Sequence, residues 1–142
     1  KLIRKDGVIL DILINGQVIY DENNNPSKLI GTTQDITQQV KSQREAKEFQ
    51  DLIEYSSNEI YIIDFNTYKY LYVNEGATKA LGYTKEELLN MAIFDINPTL
   101  NYSKANIIKD KALVYGKTIN RTIHQRKDGS TYHVQSFIHQ IT

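Results

Sequence analysis

"IYIIDFNTYKYLYVNEGATKALGYTKEELL", residues 60–89, carries the densest run of structural signals in the chain. Two β-rich segments, Ile60 to Asp64 and Tyr70 to Val73, flank a turn at Asn66 and Thr67 and predict a short hairpin. Asn74 stands where a short side-chain oxygen can cap a following helix, "EGATKALGY", and Gly82 stands where that helix would stop in a left-handed residue. Thr84 and Glu87 have capping-box spacing ahead of Leu88 and Leu89, which starts a second short helix. Beyond an irregular stretch ending at Pro98, "NYSKANIIKDKALVYG" reads as a longer helix with Ile108, Ala112 and Tyr115 along one side and Gly116 at its end. "KTINRTIHQ" and "STYHVQSFIHQIT" then read as two strands joined at Lys127, Asp128 and Gly129.

Toward the N-terminus, "GVILDILINGQVIY" (7–20) reads as a long strand, "DENNNPSK" (21–28) as a turn and "LIGTTQDIT" (29–37) as a second strand. The segment that follows, free of Gly and Pro, predicts a helix over 38–54 with a thin stripe of Ile36, Val40, Phe49 and Ile53, solvated on most sides or weakly paired with a copy of itself. "RKDG" occurs twice, at Arg4 to Gly7 and Arg126 to Gly129, and the surroundings align from Lys5 through Ile19 with Lys127 through Ile141. After the first copy another strand ends in "DIT" at Asp35 to Thr37; its counterpart after the second would fall beyond Thr142.

In this order these residues resemble the PAS sensory domains: the "KDG" turns, the run Ile60 to Leu89, and the terminal "DIT" followed by a helix. The likeness covers nearly the whole chain. It implies an α+β fold, a PAS-like antiparallel five-stranded sheet with helices on one face, preceded by a β-hairpin from a neighbouring module and a linker helix. Residues 1–37 would be the C-terminal strands of one module, 38–54 a signalling helix, and 55–142 a second core lacking its last strand. In the family that strand lies at the centre of the sheet, and leaving it out strands backbone groups at a cost of about 1–3 kcal/mol each when buried. Either it is left out or unordered, or Leu29 to Thr37 occupies its place, in its own chain or in a partner, as in a strand-exchanged homodimer.

Composition narrows the chemistry. Seventeen Lys and Arg balance seventeen Asp and Glu, so bulk charge asks for no nucleic acid, anionic membrane or acidic substrate. With no cysteine there is no disulfide, thiolate zinc site, iron–sulfur cluster or cysteinyl adduct, which fits a reducing, cytoplasmic setting. No apolar run approaches the roughly 20 residues of a membrane helix, and a start at Lys1 suggests a piece of a longer protein, one that can itself be membrane-anchored. A nucleophile beside a base, paired carboxylates and a glycine-rich phosphate loop are not evident, so no enzyme is expected. By the resemblance, cysteinyl-flavin is disfavoured by the lack of cysteine and haem by the lack of histidine on the long helix; flavin without an adduct stays open.

A two-residue turn at Asp128-Gly129 would set Ile119, Arg121 and Ile123 against Ile138, Ser136 and Val134 on the core face, and Asn120, Thr122 and His124 against Phe137, Gln135 and His133 outside. A three-residue turn would reverse the pairing. On the first register Arg121 and Ser136 can hold a ligand carboxylate at a pocket lined by Tyr132, Met91, Phe94, Ile108 and Leu81, although an arginine that snorkels or pairs with Asp95 accounts for the same residue. His133 and His139 lie about 20 Å apart along a strand at roughly 3.3 Å per residue, too far to share an ion; His124 and His133 form a solvated neutral pair without a third ligand, so no metal is expected. Asp64 and Asp95 are expected to bond backbone N–H groups.

The expectation is a sensory module of a bacterial-type signalling protein, the sensor region of a histidine kinase or diguanylate cyclase, with that output domain outside the chain. It would bind a small molecule, dimerise, or both, and relay change through the helix after Asp35 and Thr37, which can cap it. One alternative is a ligand-free dimerisation or protein-interaction domain; the other is an enzyme housed on the same curved helix-on-sheet shape.

Overall fold

The computed structural model describes residues 1–141; Thr142, the last residue of the second expected module, lies outside the described residues. The chain divides into two units, Lys1–Gln50 and Asp51–Thr142.

In the first unit β1 (Leu2–Ile3) pairs with β2 (Ile9–Leu10) across the first "KDG" turn. β3 (Ile12–Tyr20) pairs antiparallel with β4 (Pro26–Asp35), and α1 (Thr37–Glu54) follows. β4 begins earlier than Leu29 because Asp21 closes the turn quickly, its Oδ1 accepting the N–H of Asn23 and of Asn25, each at 2.9 Å. No residue of α1 is buried, and its Phe49 and Leu52 are 66% and 72% exposed.

The second unit is α+β. β5 (Tyr61–Ile63) and β6 (Tyr70–Val73) form one antiparallel hairpin; α2 (Glu75–Leu81), α3 (Lys85–Leu89) and α4 (Tyr102–Tyr115) follow; β7 (Lys117–Gln125) and β8 (Thr131–His139) form another. Among the described residues no backbone ladder joins the two hairpins. The helix ends follow the local signals. Asn74 accepts from Ala77 N, Gly82 closes α2 at φ 77°, and Thr84 with Glu87 makes a reciprocal capping box.

The core gathers Tyr70, Val73, Ala77, Leu81, Leu88 and Ile96 beneath α2 and α3. Full burial of Leu81, Leu88 and Ile96 contributes about 1.5–3 kcal/mol each. α4 buries Ala105 and Ala112, whereas Tyr115, expected on the same side, is 74% exposed in the last turn. Among the described residues no helix is long and apolar enough to cross a membrane.

The register of the last hairpin differs from the two-residue expectation. Arg126 N donates to Ser130 O at 2.8 Å and Gly129 N to Arg126 O at 2.9 Å, so Lys127, Asp128 and Gly129 form a three-residue loop with Gly129 left-handed at φ 86°. Arg121 therefore faces Gln135, Ser136 faces Asn120, and His124 faces Tyr132. A one-residue shift turns β7 over: Asn120, Thr122 and His124 point inward, while Ile119 and Arg121 are exposed. The first "KDG" turn has the same geometry, with Arg4 N to Val8 O at 2.8 Å, Gly7 N to Arg4 O at 2.9 Å and Gly7 at φ 85°.

Candidate functional site

A cleft of about 220 Å³ opens between α4 and β7. Asn101 caps α4 by accepting from Lys104 N, which sets the first turn beside Thr99 and brings Lys104, Ile107 and Ile108 opposite Arg121 and Thr122. Lys104 Nζ donates to Thr99 O at 3.0 Å, and Arg121 Nε donates to the Gln135 side chain at 2.9 Å. Arg121 lines the cleft while lying exposed between the inward-facing Asn120 and Thr122 of β7. Buried Asn97 accepts from the hydroxyls of two lining residues, Thr122 at 2.9 Å and Thr99 at 3.1 Å. Two cations and no carboxylate line this cleft. A wider open groove of about 430 Å³ beside α2 and α3 has its charges matched, with Lys79 on Glu75 at 2.8 Å and Lys85 on Glu54 at 3.0 Å.

The residues expected to share one pocket are dispersed by the corrected register. Arg121 and Ile108 meet at the cleft. Ser136 lies on β8 opposite Asn120 instead of Arg121. Tyr132 and Met91 pack against the core cluster, Leu81 lies within it, and Phe94 stacks with Tyr102 at 4.3 Å and Tyr68 at 5.3 Å between ring centroids. Asp95 accepts from Ala92 N at 2.7 Å rather than from Arg121, and Asp64 accepts from Asn66 N at 2.6 Å. Ahead of α1, Asp35 Oδ1 accepts from Thr37 N at 2.9 Å, and Thr37 Oγ1 accepts from Asp11 N at 2.9 Å. Hydrogen bonds from the Thr37 hydroxyl and N–H hold the Asp35 carboxyl below its ordinary range.

The polar centre of the unit was not visible in sequence. Glu59, just before β5, accepts from Tyr132 OH at 2.6 Å and from Tyr61 OH, and its Oε2 lies 3.1 Å from His124 Nδ1. His124, expected in a solvated pair with His133, is 8% exposed because the register turns it inward; His133 faces Ile123. Burial pushes the Glu59 carboxyl up, but hydrogen bonds from His124, Tyr132 and Tyr61, with the attraction of His124, outweigh it and leave the carboxyl below the usual range. Burial, then the Glu59 charge, drives the Tyr61 and Tyr132 hydroxyls well above theirs. Arg126 sits 4.1 Å over the Tyr132 ring and donates from Nε to Ala80 O at 2.9 Å. A lone acid at a strand start is the only sequence signal for this cluster, and it does not name its partners.

A second network anchors the end of α1. The fully buried Asn74 amide donates from Nδ2 to the carbonyls of Asn58 at 2.9 Å, Ile53 at 3.0 Å and Ser56 at 3.2 Å, while its Oδ1 accepts from Ile60 N at 2.9 Å. Glu54 accepts from Tyr72 OH at 2.7 Å and Lys85 Nζ at 3.0 Å. Burial, with the Glu54 hydrogen bond, leaves Tyr72 pushed up to about 12.

No curated protein matches the chain. Its fold is similar to a domain of the sensory box sensor histidine kinase/response regulator from Geobacter sulfurreducens, with TM-score 0.61 and 20% identity over 68% of this chain and 84% of that one. It is similar to the PAS domain of an HTR-like protein from Haloarcula marismortui, with TM-score 0.57 and 19% identity over 70% and 82%. It is also similar to the PAS domain of a protein from Desulfitobacterium hafniense, with TM-score 0.52 and 26% identity over 60% and 79%. The family model described as PAS domain matches residues 58–142. That match takes in well over half of the sequence, and the chain belongs to the PAS domain family.

Proposed function

We propose that the second unit is the sensory module of a signal-transduction protein, taking a small carboxylate in the cleft between α4 and β7 and passing its occupancy to α1. The observation that carries this reading is the pairing of Lys104 with Arg121 on one cleft with no acid among its lining residues. Arg121 is steadied by Gln135 through Nε, which leaves the planar end of the guanidinium for a carboxylate, the geometry in which arginine binds most strongly. At about 220 Å³ the cleft falls below the roughly 300–1,000 Å³ usual for drug-sized ligands, which favours a ligand of few heavy atoms. The likeness to a sensor histidine kinase domain supports a kinase-type output outside this chain, with a diguanylate cyclase as the other candidate. The matching geometry of the two "KDG" turns supports reading residues 1–37 as the end of a preceding module, with Asp35 and Thr37 at the junction into α1.

A second reading, a homodimerising interaction module that needs no ligand, is favoured by the exposed Phe49 and Leu52 on α1. The strand-exchanged form, with Leu29 to Thr37 donated between copies, belongs to that reading. Native mass spectrometry of the purified chain separates the two by reporting bound small molecules and oligomeric state together. Calorimetric titration with acetate, succinate and citrate then tests the cleft. Binding of at least one, weakened tenfold or more in Arg121→Gln, is the expected result, on the order of one lost charge-assisted contact. Failure of all three to bind, or equal binding by the variant, overturns the ligand reading.

A further inference from the structure

The two hairpins of the second unit share no ladder among the described residues. Backbone bonds relate them through residues 91–96, with Gln125 N donating to Ile96 O at 2.8 Å and Ile93 N to Tyr68 O at 3.0 Å, and side chains supply a more direct link. Glu59 is placed to form it. It lies between residues whose backbone the Asn74 side chain grips: Asn58 O accepts from Asn74 Nδ2 at 2.9 Å and Ile60 N donates to Asn74 Oδ1 at 2.9 Å. The same Asn74 amide grips Ile53 O at the C-terminal end of α1, at 3.0 Å. On the other side Glu59 meets His124 and Tyr132, which face one another on β7 and β8. His124 is two residues along β7 from Thr122, on the same inward face, and Thr122 both lines the cleft and bonds Asn97 at 2.9 Å.

From this geometry we infer that Glu59 is the positioning residue that couples strand β7, one wall of the cleft, to the C-terminal end of α1. The Glu59 carboxylate is the single acceptor on which Tyr61 of β5, His124 of β7 and Tyr132 of β8 converge. A shift of β7 displaces His124 and drags or releases the carboxylate. Residues 58–60 follow, and Asn74 transfers the change to Ile53. The remaining charge beside the cluster, Arg126, is held by Ala80 O and the Tyr132 ring, so it steadies the β8 side rather than competing for the carboxylate. Nothing in this route requires a ligand. It uses the proposed cleft only as the place where β7 can be disturbed.

Spatial continuity alone does not establish coupling, so the test is a double-mutant cycle. Thr122→Val removes the Asn97 bond at the cleft without a ligand, and hydrogen exchange is read at the amides of Tyr55 and Ser56, which bond Asp51 O at 3.0 Å and Ile53 O at 3.3 Å at the end of α1. The expected result is that Thr122→Val changes exchange at these amides by about threefold or more with Glu59 present, and that the change disappears in a Glu59→Gln background. A purely structural Glu59 would raise exchange on its own but leave the Thr122→Val effect intact. That outcome overturns the inference, as does the absence of any Thr122→Val effect at Tyr55 and Ser56. If Glu59→Gln fails to fold by circular dichroism, Tyr132→Phe, which removes one donor and keeps the ring, takes its place. A reduced Thr122→Val effect then supports the coupling and an unchanged one refutes it. Carboxylate titrations can fail entirely without touching this result.

Discussion

Replacing Gly76 by alanine sets two effects of opposite sign against each other. Gly76 lies in the first turn of α2, where alanine would gain up to about 1 kcal/mol in helix propensity. An ideal Cβ there would collide with the carbonyl oxygens of Ser56 and Asn58, the latter at 2.5 Å. Both are backbone atoms and cannot rotate away. They are also two of the three carbonyls that the Asn74 amide holds, so relief of the clash stretches those bonds. Overpacking of this kind costs about 1–3 kcal/mol, and leaving the buried Asn74 donors partly unmet adds about 1–3 kcal/mol. Sterics win, and the net expectation is a loss of about 1–6 kcal/mol. Urea denaturation followed by tyrosine fluorescence measures it as a fall in midpoint at unchanged slope. A Gly76→Ala variant as stable as the parent or more so would refute the close approach of residues 56–58 to α2, and with it the anchoring of α1 through Asn74.

Because the folded Glu59 carboxyl lies below its ordinary 4.5, its contribution is present above that value and is lost as pH falls through the lower folded value. The stability gap between the parent and Glu59→Gln should therefore shrink between about pH 5 and pH 3, read as converging urea midpoints; a constant gap would show that the carboxylate is not held in its charged form. Gly129→Ala places a side chain at φ 86° with nothing near the new Cβ, so the cost is backbone strain alone, about 1–2 kcal/mol in the same denaturation assay. A neutral result there would mean that the loop relaxes to another turn type, which nuclear Overhauser contacts between Arg121 and Gln135 would reveal as a changed register.

What the sequence made legible is local. The caps at Asn74, Gly82 and Thr84 depend on residues within four positions of one another, and all three helix ends lie where those residues put them. The register of β7 and β8 hung on whether the Asp-Gly pair closes a two-residue or a three-residue loop, a choice the dipeptide alone leaves open. Lys127 entered the loop, and that one residue carried Arg121 outward and His124 inward. The Glu59 cluster was illegible for another reason. Apart from Tyr61, its partners are 65 and 73 residues away in sequence, and no periodicity relates a strand start to a distant hairpin.

The repeated turn separates these two kinds of information. Around Gly7 and Gly129 the backbone bonds agree to within 0.1 Å and the glycine φ angles to one degree, so four identical residues suffice to set the turn. The strands leaving those turns nonetheless meet different fates. Next to the turns the aligned pairs agree, Leu10 and Ile12 being half-buried like Tyr132 and Val134, but farther along Ile14 is 64% exposed where its counterpart Ser136 is half-buried, and Tyr132 packs against a core. A two-stranded ribbon with apolar side chains in water is marginal on its own. Turn chemistry is written in the residues that form the turn, whereas burial is decided by whatever element lies over the strand. For that reason the last hairpin of the second unit is tied down by Glu59 and by the core beneath α2 and α3, partners that the turn residues themselves do not specify.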